Sequence, residues 1–378
     1  MERGDIVKRR LDRWLGIPLV GFAGGLKAFG RLFPSTAFSP ENTRSIGILC
    51  LGAIGDLLLT TALIQALRRK FPDAVIDIIT SKANGGTHGF IPGIDGAAAF
   101  GVTDVPGMVR HLRSKKYNLL IDTSQWARLG ALLSAVSGAG HTVGFATKSQ
   151  FRHYAYDSVV THRNDVHEVE NFLALGKAVF PGIDGKPEIL LPENPSLSCP
   201  ACLRDPSDKK MVFCHMWPSG LNSYLKEWPA EYWAELAGIL VAAGYAPVFT
   251  GGPQDAERTE KFIENYALAE KGICSVAGAA SLADIAWSMR HVAAVVSVNT
   301  GIMHLAAVAG AATVGLNGPT NPSRWGPLGD RTISLQPREG HYGYLNLGFE
   351  YPDTAGTVLN GLPVEDVVAA LKRLDLGL

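Results

Sequence analysis

The sequence has no excess of either charge: 35 Lys and Arg balance 35 Asp and Glu over 378 residues. That argues against broad nucleic-acid binding, which needs a basic face. Cysteines are few and odd in number, five in all. A disulfide scaffold is therefore not expected, and a reducing compartment is favoured. No window reaches 18 uninterrupted apolar residues, so no conventional membrane span is expected. Charged residues make up only 19%, but hydrophobic ones reach 47%, enough for sizeable cores and too much for a disordered chain. The length exceeds what one core usually supports and points to two domains. Glycine is what the chain has in plenty, 42 residues without a short repeat, as tight strand-to-helix turns require.

Residues 1–44 stand apart. Arg3, Lys8, Arg9, Arg10, Arg13, Lys27, Arg31 and Arg44 face only Glu2, Asp5, Asp12 and Glu41, an excess of four positive charges. No charge occurs between Trp14 and Leu26, and Trp14, Leu15, Ile17, Leu19, Val20 and Phe22 are apolar. A signal peptide has this order, but Asp5 and Asp12 interrupt the basic part and no small-x-small cleavage site follows. Two readings stay open: a basic amphipathic extension lying at a membrane surface, or helices packed on the body of the protein.

From Ser45 the pattern is regular. Short apolar runs at 45–51, 75–79, 97–102, 118–122 and 141–145 read as strands, with helices near 55–70, 105–115, 127–137 and 168–179. Pro192, Pro195, Pro200 and Pro206 then break the pattern, so 192–209 reads as a linker. Cys199 and Cys202 lie inside it as a lone pair, without the further ligands a zinc site needs. The alternation restarts with strands at 211–214, 246–250, 272–276, 293–298 and 312–316. Helices are expected near 230–243, 256–268, 281–289, 302–309 and 364–374. The expected fold class is thus α/β, with two doubly wound, Rossmann-like domains at 45–191 and 210–378 facing across a cleft.

In such sheets ligands bind beyond the carboxyl ends of the strands, so the residues just after each strand carry the information. Gly52-Ala-Ile-Gly55-Asp56 follows the first strand. Its glycines permit a tight turn, and Asp56 sits in the first helical turn, where the helix dipole favours a carboxylate. Its spacing is not the Gly-x-Gly-x-x-Gly dinucleotide fingerprint, which disfavours a nicotinamide oxidoreductase. Pro218 to Pro229 follows the first strand of the second half, and Ser219, Gly220, Ser223 and Lys226 can meet a phosphate. Thr250-Gly-Gly-Pro-Gln-Asp255, Ser297-Val-Asn299-Thr300-Gly301-Ile-Met-His304 and Asn317 to Pro327 complete the set. Each could be a structural turn. Several together, all suited to phosphate or sugar hydroxyls, favour a nucleotide-type ligand.

Gly52-x-x-Gly55-Asp56-x-x-Leu59-x-Thr61, Lys226-x-Trp228-Pro229, Thr250-Gly251-Gly252-Pro253, Thr300-Gly301-x-x-His304-Leu305-Ala306-Ala307 and Gly318-Pro319-Thr320-x-Pro322-x-x-Trp325-Gly326-Pro327 resemble the heptosyltransferases of glycosyltransferase family nine. Order and spacing match over about 45–335. The resemblance implies a GT-B fold with an N-terminal acceptor domain and a C-terminal nucleotide-sugar domain. It implies transfer of a sugar, typically heptose from ADP-heptose, onto a lipopolysaccharide core or related cell-envelope glycan. The place implied is the cytoplasmic face of the membrane, with peripheral contact to it and a lipid-linked acceptor as partner. Asp56 matches the family's base. Ser219, Lys226, Asp255, Asn299, Thr300, Gly301 and His304 fall on the donor side, and Gly52 and Gly55 form the acceptor-side loop.

Asn299 stands where the best-studied members of the family have Asp, the loop from His215 to Lys226 looks longer than usual, and residues before Ser45 are additional to the minimal enzyme. No Asp-x-Asp occurs, so neither a metal nor another cofactor is expected. The mechanism implied is an inverting displacement in which Asp56 takes the acceptor's hydroxyl proton. Lys226, His304 and the helix start at Gly301 would meet the charge of the leaving diphosphate. A different GT-B nucleotide-sugar enzyme, an epimerase among them, and an inactive carbohydrate-binding scaffold are the alternatives.

Overall fold

The computed structural model describes residues 10, 12–30, 38–204, 210–220, 222–348, 350–352 and 356–378. The chain divides into two compact units, Met1–Ile189 and Leu190–Leu378.

The first unit opens with helix α1 (Gly16–Gly30), which packs on the helix Arg128–Val136 and on the turn Arg152–Ala155. Its contact side is Val20, Ala23 and Gly24, all buried. Two ion pairs hold its ends: Asp12 with Arg128 at 2.7 Å and Lys27 with Asp157 at 2.6 Å. The segment thus packs on the body of the protein. The other features expected of 1–44 at residues 1–9, 11 and 31–37 lie outside the described residues.

Six strands follow: β1 (Ser45–Cys50), β2 (Val75–Ser81), β3 (Gly96–Phe100), β4 (Leu119–Asp122), β5 (His141–Ala146) and β6 (Ser158–Thr161). All pair in parallel, in the order β3-β2-β1-β4-β5-β6. A central parallel strand is covered on both faces, which is why β1 is a continuous apolar run, buried from Ile46 to Cys50. Helix α2 (Ile54–Lys70) follows β1 and is buried over most of its length, down to the basic last turn Arg68-Arg69-Lys70.

The second unit repeats the topology. β7 (Lys210–His215), β8 (Tyr245–Thr250), β9 (Cys274–Ser275), β10 (Ala294–Val298), β11 (Thr313–Leu316) and β12 (Thr332–Leu335) are ordered β12-β11-β10-β7-β8-β9, again all parallel. Its core gathers Trp228, Trp233, Phe249 and Phe262 with Val367 and Leu371 of the last helix. The Trp228 indole N–H donates to the Leu362 carbonyl at 2.8 Å, which ties that helix to the sheet. In both units the chain direction across the sheet reverses beside the first strand, between β1 and β4 and between β7 and β10. These are the switch points at which doubly wound sheets bind ligands.

The structure differs from the sequence reading in three places. The edge strands β6 and β12 were not foreseen. Each has four residues, none of them fully buried, and is too short to show a reliable periodicity. β9 is two residues, not five. The segment expected to be a linker at 192–209 is strapped to the second unit as far as 204. Arg290 donates to the carbonyls of Leu191 and Pro192, and the Trp287 indole donates to that of Glu193. Ser196 donates twice to Asp284, and Leu203 is fully buried. Composition suggested slack chain because the groups that hold the segment lie 88 to 99 positions further on.

Candidate active site

At the switch point of the first unit, Gly52 lies two residues beyond β1 and Asp56 occupies the third position of α2. The Ala53 N–H donates to Asp56 Oδ2 at 2.7 Å. The Gln125 side-chain amide donates to Oδ1 at 2.8 Å. Both carboxylate oxygens are thus oriented, and the residue is buried. A Cβ on Gly52 would lie 2.6 Å from Asp56 Oδ2, so this turn closes over the carboxylate only with glycine. Asn84 donates to the Gly52 carbonyl at 2.9 Å and pins the same turn from β2's side.

Sequence reasoning missed Gln125. It lies on the segment after β4, held by a buried cluster: Arg152 with Asp122 at 2.5 Å, Tyr156 donating to Asp122 at 2.6 Å, and Arg152 donating to the Ser124 carbonyl. Burial pushes the Tyr156 hydroxyl well above its ordinary range, so it remains a donor. A Cβ on Gly130 would lie 2.4 Å from Asp122, so that helix passes directly over the cluster. A small pocket opens beside this segment, lined by Gly52, Ser124, Gln125, Trp126 and Leu129 among others. Gln125 lies 69 positions from Asp56 and belongs to no local motif.

The predicted donor residues fall into three groups in the second unit. After β7, the Lys226 ammonium donates to the Ser219 carbonyl at 2.5 Å, which folds the long loop back on itself. After β10, Asn299, Thr300 and Gly301 make the turn into the helix Gly301–Val308, with His304 buried one turn in. Thr300 and Ser297 hydroxyls lie 3.2 Å apart. After β8, Asp255 accepts from the Gly252 N–H at 2.8 Å and from Arg258 at 2.5 Å. Arg258 also reaches Glu227 at 3.3 Å and lies 3.9 Å over the Trp217 ring. Asp255 is buried and already paired with Arg258, so it serves the loop first. Burial pushes the half-buried Glu227 carboxyl up, against the pull of Arg258. Arg258 and Trp217 were not foreseen. Arg258, three residues after Asp255 on a helix, was the available signal.

Asn299 has a definite structural role. Its Nδ2 donates to Asn317 Oδ1 at 2.6 Å and to the Trp325 carbonyl at 2.7 Å. It therefore bridges the turn after β10 to the loop after β11. Both partners are acceptors, which an amide satisfies and an ionised carboxylate does not. His215, at the end of β7, shares a 2.9 Å hydrogen bond with Thr250, and burial lowers its pKa to about 4. Its imidazole is neutral near pH 7 and acts as a spacer between β7 and β8.

Two doubly wound units, each with oriented polar groups at its switch point, are the architecture of the GT-B fold. Residues 107–343 match glycosyltransferase family 9 (heptosyltransferase). The chain is 23% identical over 316 residues to lipopolysaccharide heptosyltransferase 2 of Escherichia coli, covering 78% of this chain and 89% of that protein. Among solved structures it shares its fold with a family 9 glycosyltransferase from Veillonella parvula (TM-score 0.71, 19% identity, 90% and 99% of the two chains). It shares it also with ADP-heptose lipopolysaccharide heptosyltransferase II of E. coli (TM-score 0.70, 21% identity, 87% and 98%). The chain belongs to glycosyltransferase family 9.

Proposed function

We propose that this chain moves heptose from ADP-heptose onto a lipopolysaccharide core or a related lipid-linked envelope glycan, with inversion at the anomeric carbon. The first unit takes the acceptor and the second the donor. The observation that carries the reading is the Asp56 carboxylate, buried at a switch point and oriented on both oxygens. In the transfer, the acceptor hydroxyl oxygen bonds to the anomeric carbon while the bond from that carbon to the diphosphate oxygen breaks. The hydroxyl proton passes to Asp56, and ADP leaves with the electron pair. Lys226, His304 and the N–H groups at the start of the helix Gly301–Val308 meet the charge that develops on the diphosphate. The enzyme is placed at the cytoplasmic side of the membrane that holds its acceptor.

The test is transfer from ADP-heptose to a core acceptor lacking the sugar, with product configuration read by NMR and the reaction repeated in EDTA. Wild type should give the inverted product at unchanged rate in EDTA. Asp56→Asn should keep ADP binding and lose about 10²–10⁴-fold in turnover, the range for general-base assistance. A retained configuration would overturn the displacement. Transfer only from another nucleotide sugar would overturn the donor, and no transfer from any would favour the scaffold alternative.

A further inference from the structure

The outward side of α1 and of the short segment just before it is apolar without interruption. Trp14 is 76% exposed, Leu15 55%, Leu19 46%, Phe22 68%, Leu26 57% and Phe29 61%. All six are exposed large apolar side chains, and they follow one another over residues 14–29, from the turn before α1 to its last residues. No charged residue falls between Arg13 and Lys27, and Lys27 is turned inward to Asp157. Tyr154, 55% exposed, adds a further apolar side chain on the turn against which α1 packs. A soluble helix normally turns its apolar side inward and its polar side to water. Here both sides are apolar, and only the inward side is covered.

We infer that this stripe inserts into the surface of an anionic lipid bilayer and that α1 is a rigid monotopic anchor for the acceptor-binding unit. Charge complementarity selects lipid over a protein partner. Arg10 and Arg13 are exposed at the amino end of the stripe, and Arg3, Lys8 and Arg9 precede them in sequence. Asp12, the acidic residue nearest the stripe, is withdrawn into its pair with Arg128. Trp14 sits at the junction of the basic and apolar parts, the position aromatic side chains take at the headgroup level. Fifteen helical residues extend about 22 Å, too short to span, and no described helix is long and apolar enough to cross a membrane.

The attachment is stiff. A Cβ on Gly24 would lie 2.4 Å from the Tyr154 carbonyl, and one on Gly16 would lie 2.8 Å from the Arg128 side chain. Those close approaches, with the two end ion pairs, fix the helix to the body and hold the unit at one height and tilt above the lipid. This purpose rests on the lipid-linked acceptor proposed above, but the surface itself does not.

Flotation of the full chain with phosphatidylcholine vesicles containing about a third phosphatidylglycerol tests it. Wild type should float, and should bind several-fold less at high salt or without the anionic lipid. Leu19→Glu combined with Phe22→Glu should lower binding at least tenfold while the melting temperature is unchanged. Its transfer to a water-soluble core fragment should match wild type, which separates failure of the anchor from failure of the proposed reaction. Lack of wild-type binding, or equal binding by the variant, would overturn the inference. So would a wild-type dimer that the variant dissolves, which would make the stripe an interface between copies.

Discussion

Asn299→Asp replaces one donor group by an oxygen without moving any other heavy atom, yet it should be costly. The native Nδ2 donates to Asn317 Oδ1 and to the Trp325 carbonyl. Asn317 cannot answer by turning its amide over, because its own Nδ2 donates to Ser334 at 2.7 Å and to the Gly315 carbonyl at 3.1 Å. Asn317 is fully buried, so water cannot replace the lost donor there. Two hydrogen bonds at about 0.5–1.5 kcal/mol each, plus a carboxylate facing two acceptors, sum to about 2–4 kcal/mol. In a unit of this size each kcal/mol moves the melting temperature by about 2–4 °C, so a fall of about 5–15 °C is expected. Asn299→Ala removes the bonds without adding charge and should fall less. The contact also sets a sign with pH. Facing acceptors favours the protonated carboxyl, so the folded-state pKa of the new Asp lies above its unfolded value. The penalty is then full above that raised pKa and shrinks as pH falls through it. Thermal melts of wild type and both variants at neutral and mildly acidic pH check this. An Asp variant as stable as wild type, or no worse than the Ala variant at neutral pH, would refute the account of why this chain carries Asn here.

Lys226→Ala should weaken ADP about tenfold to a hundredfold and leave adenosine nearly unchanged, since a charge-assisted contact to phosphate is worth about 1.5–3 kcal/mol; calorimetric titration of both ligands decides, and equal losses would remove Lys226 from the phosphates. His215 should make the fold acid-sensitive. Its pKa is lowered from 6.5 to about 4 by burial, so as pH falls below 6.5 the unfolded chain binds a proton that the native one refuses. Stability is then lost between about pH 6.5 and 4, approaching 3 kcal/mol. Urea midpoints at pH 7 and 4.5 should show this slope in wild type and less of it in His215→Gln; an identical slope in both would assign the acid loss to other groups.

The alternation of strand and helix, the two doubly wound units and the turns at Gly52–Asp56, Lys226 and Asn299–His304 were legible in the sequence. They are local: apolar runs with buried-strand composition, glycine where a turn tightens, a carboxylate in a first helical turn. The edge strands β6 and β12 were not legible, because a four-residue strand with no fully buried side chain carries too little periodic signal. The strap at 191–204 read as slack, since its stability comes from Asp284, Trp287 and Arg290. Gln125 was invisible for the same reason, brought to Asp56 by the pairing of β1 with β4. For α1, residue order alone shows an uncharged stretch flanked by basic residues. Which side of that helix the protein covers and which it leaves bare follows only from the folded chain. A residue's own chemistry sets its preference for water, but whether it meets water depends on what distant chain folds against it.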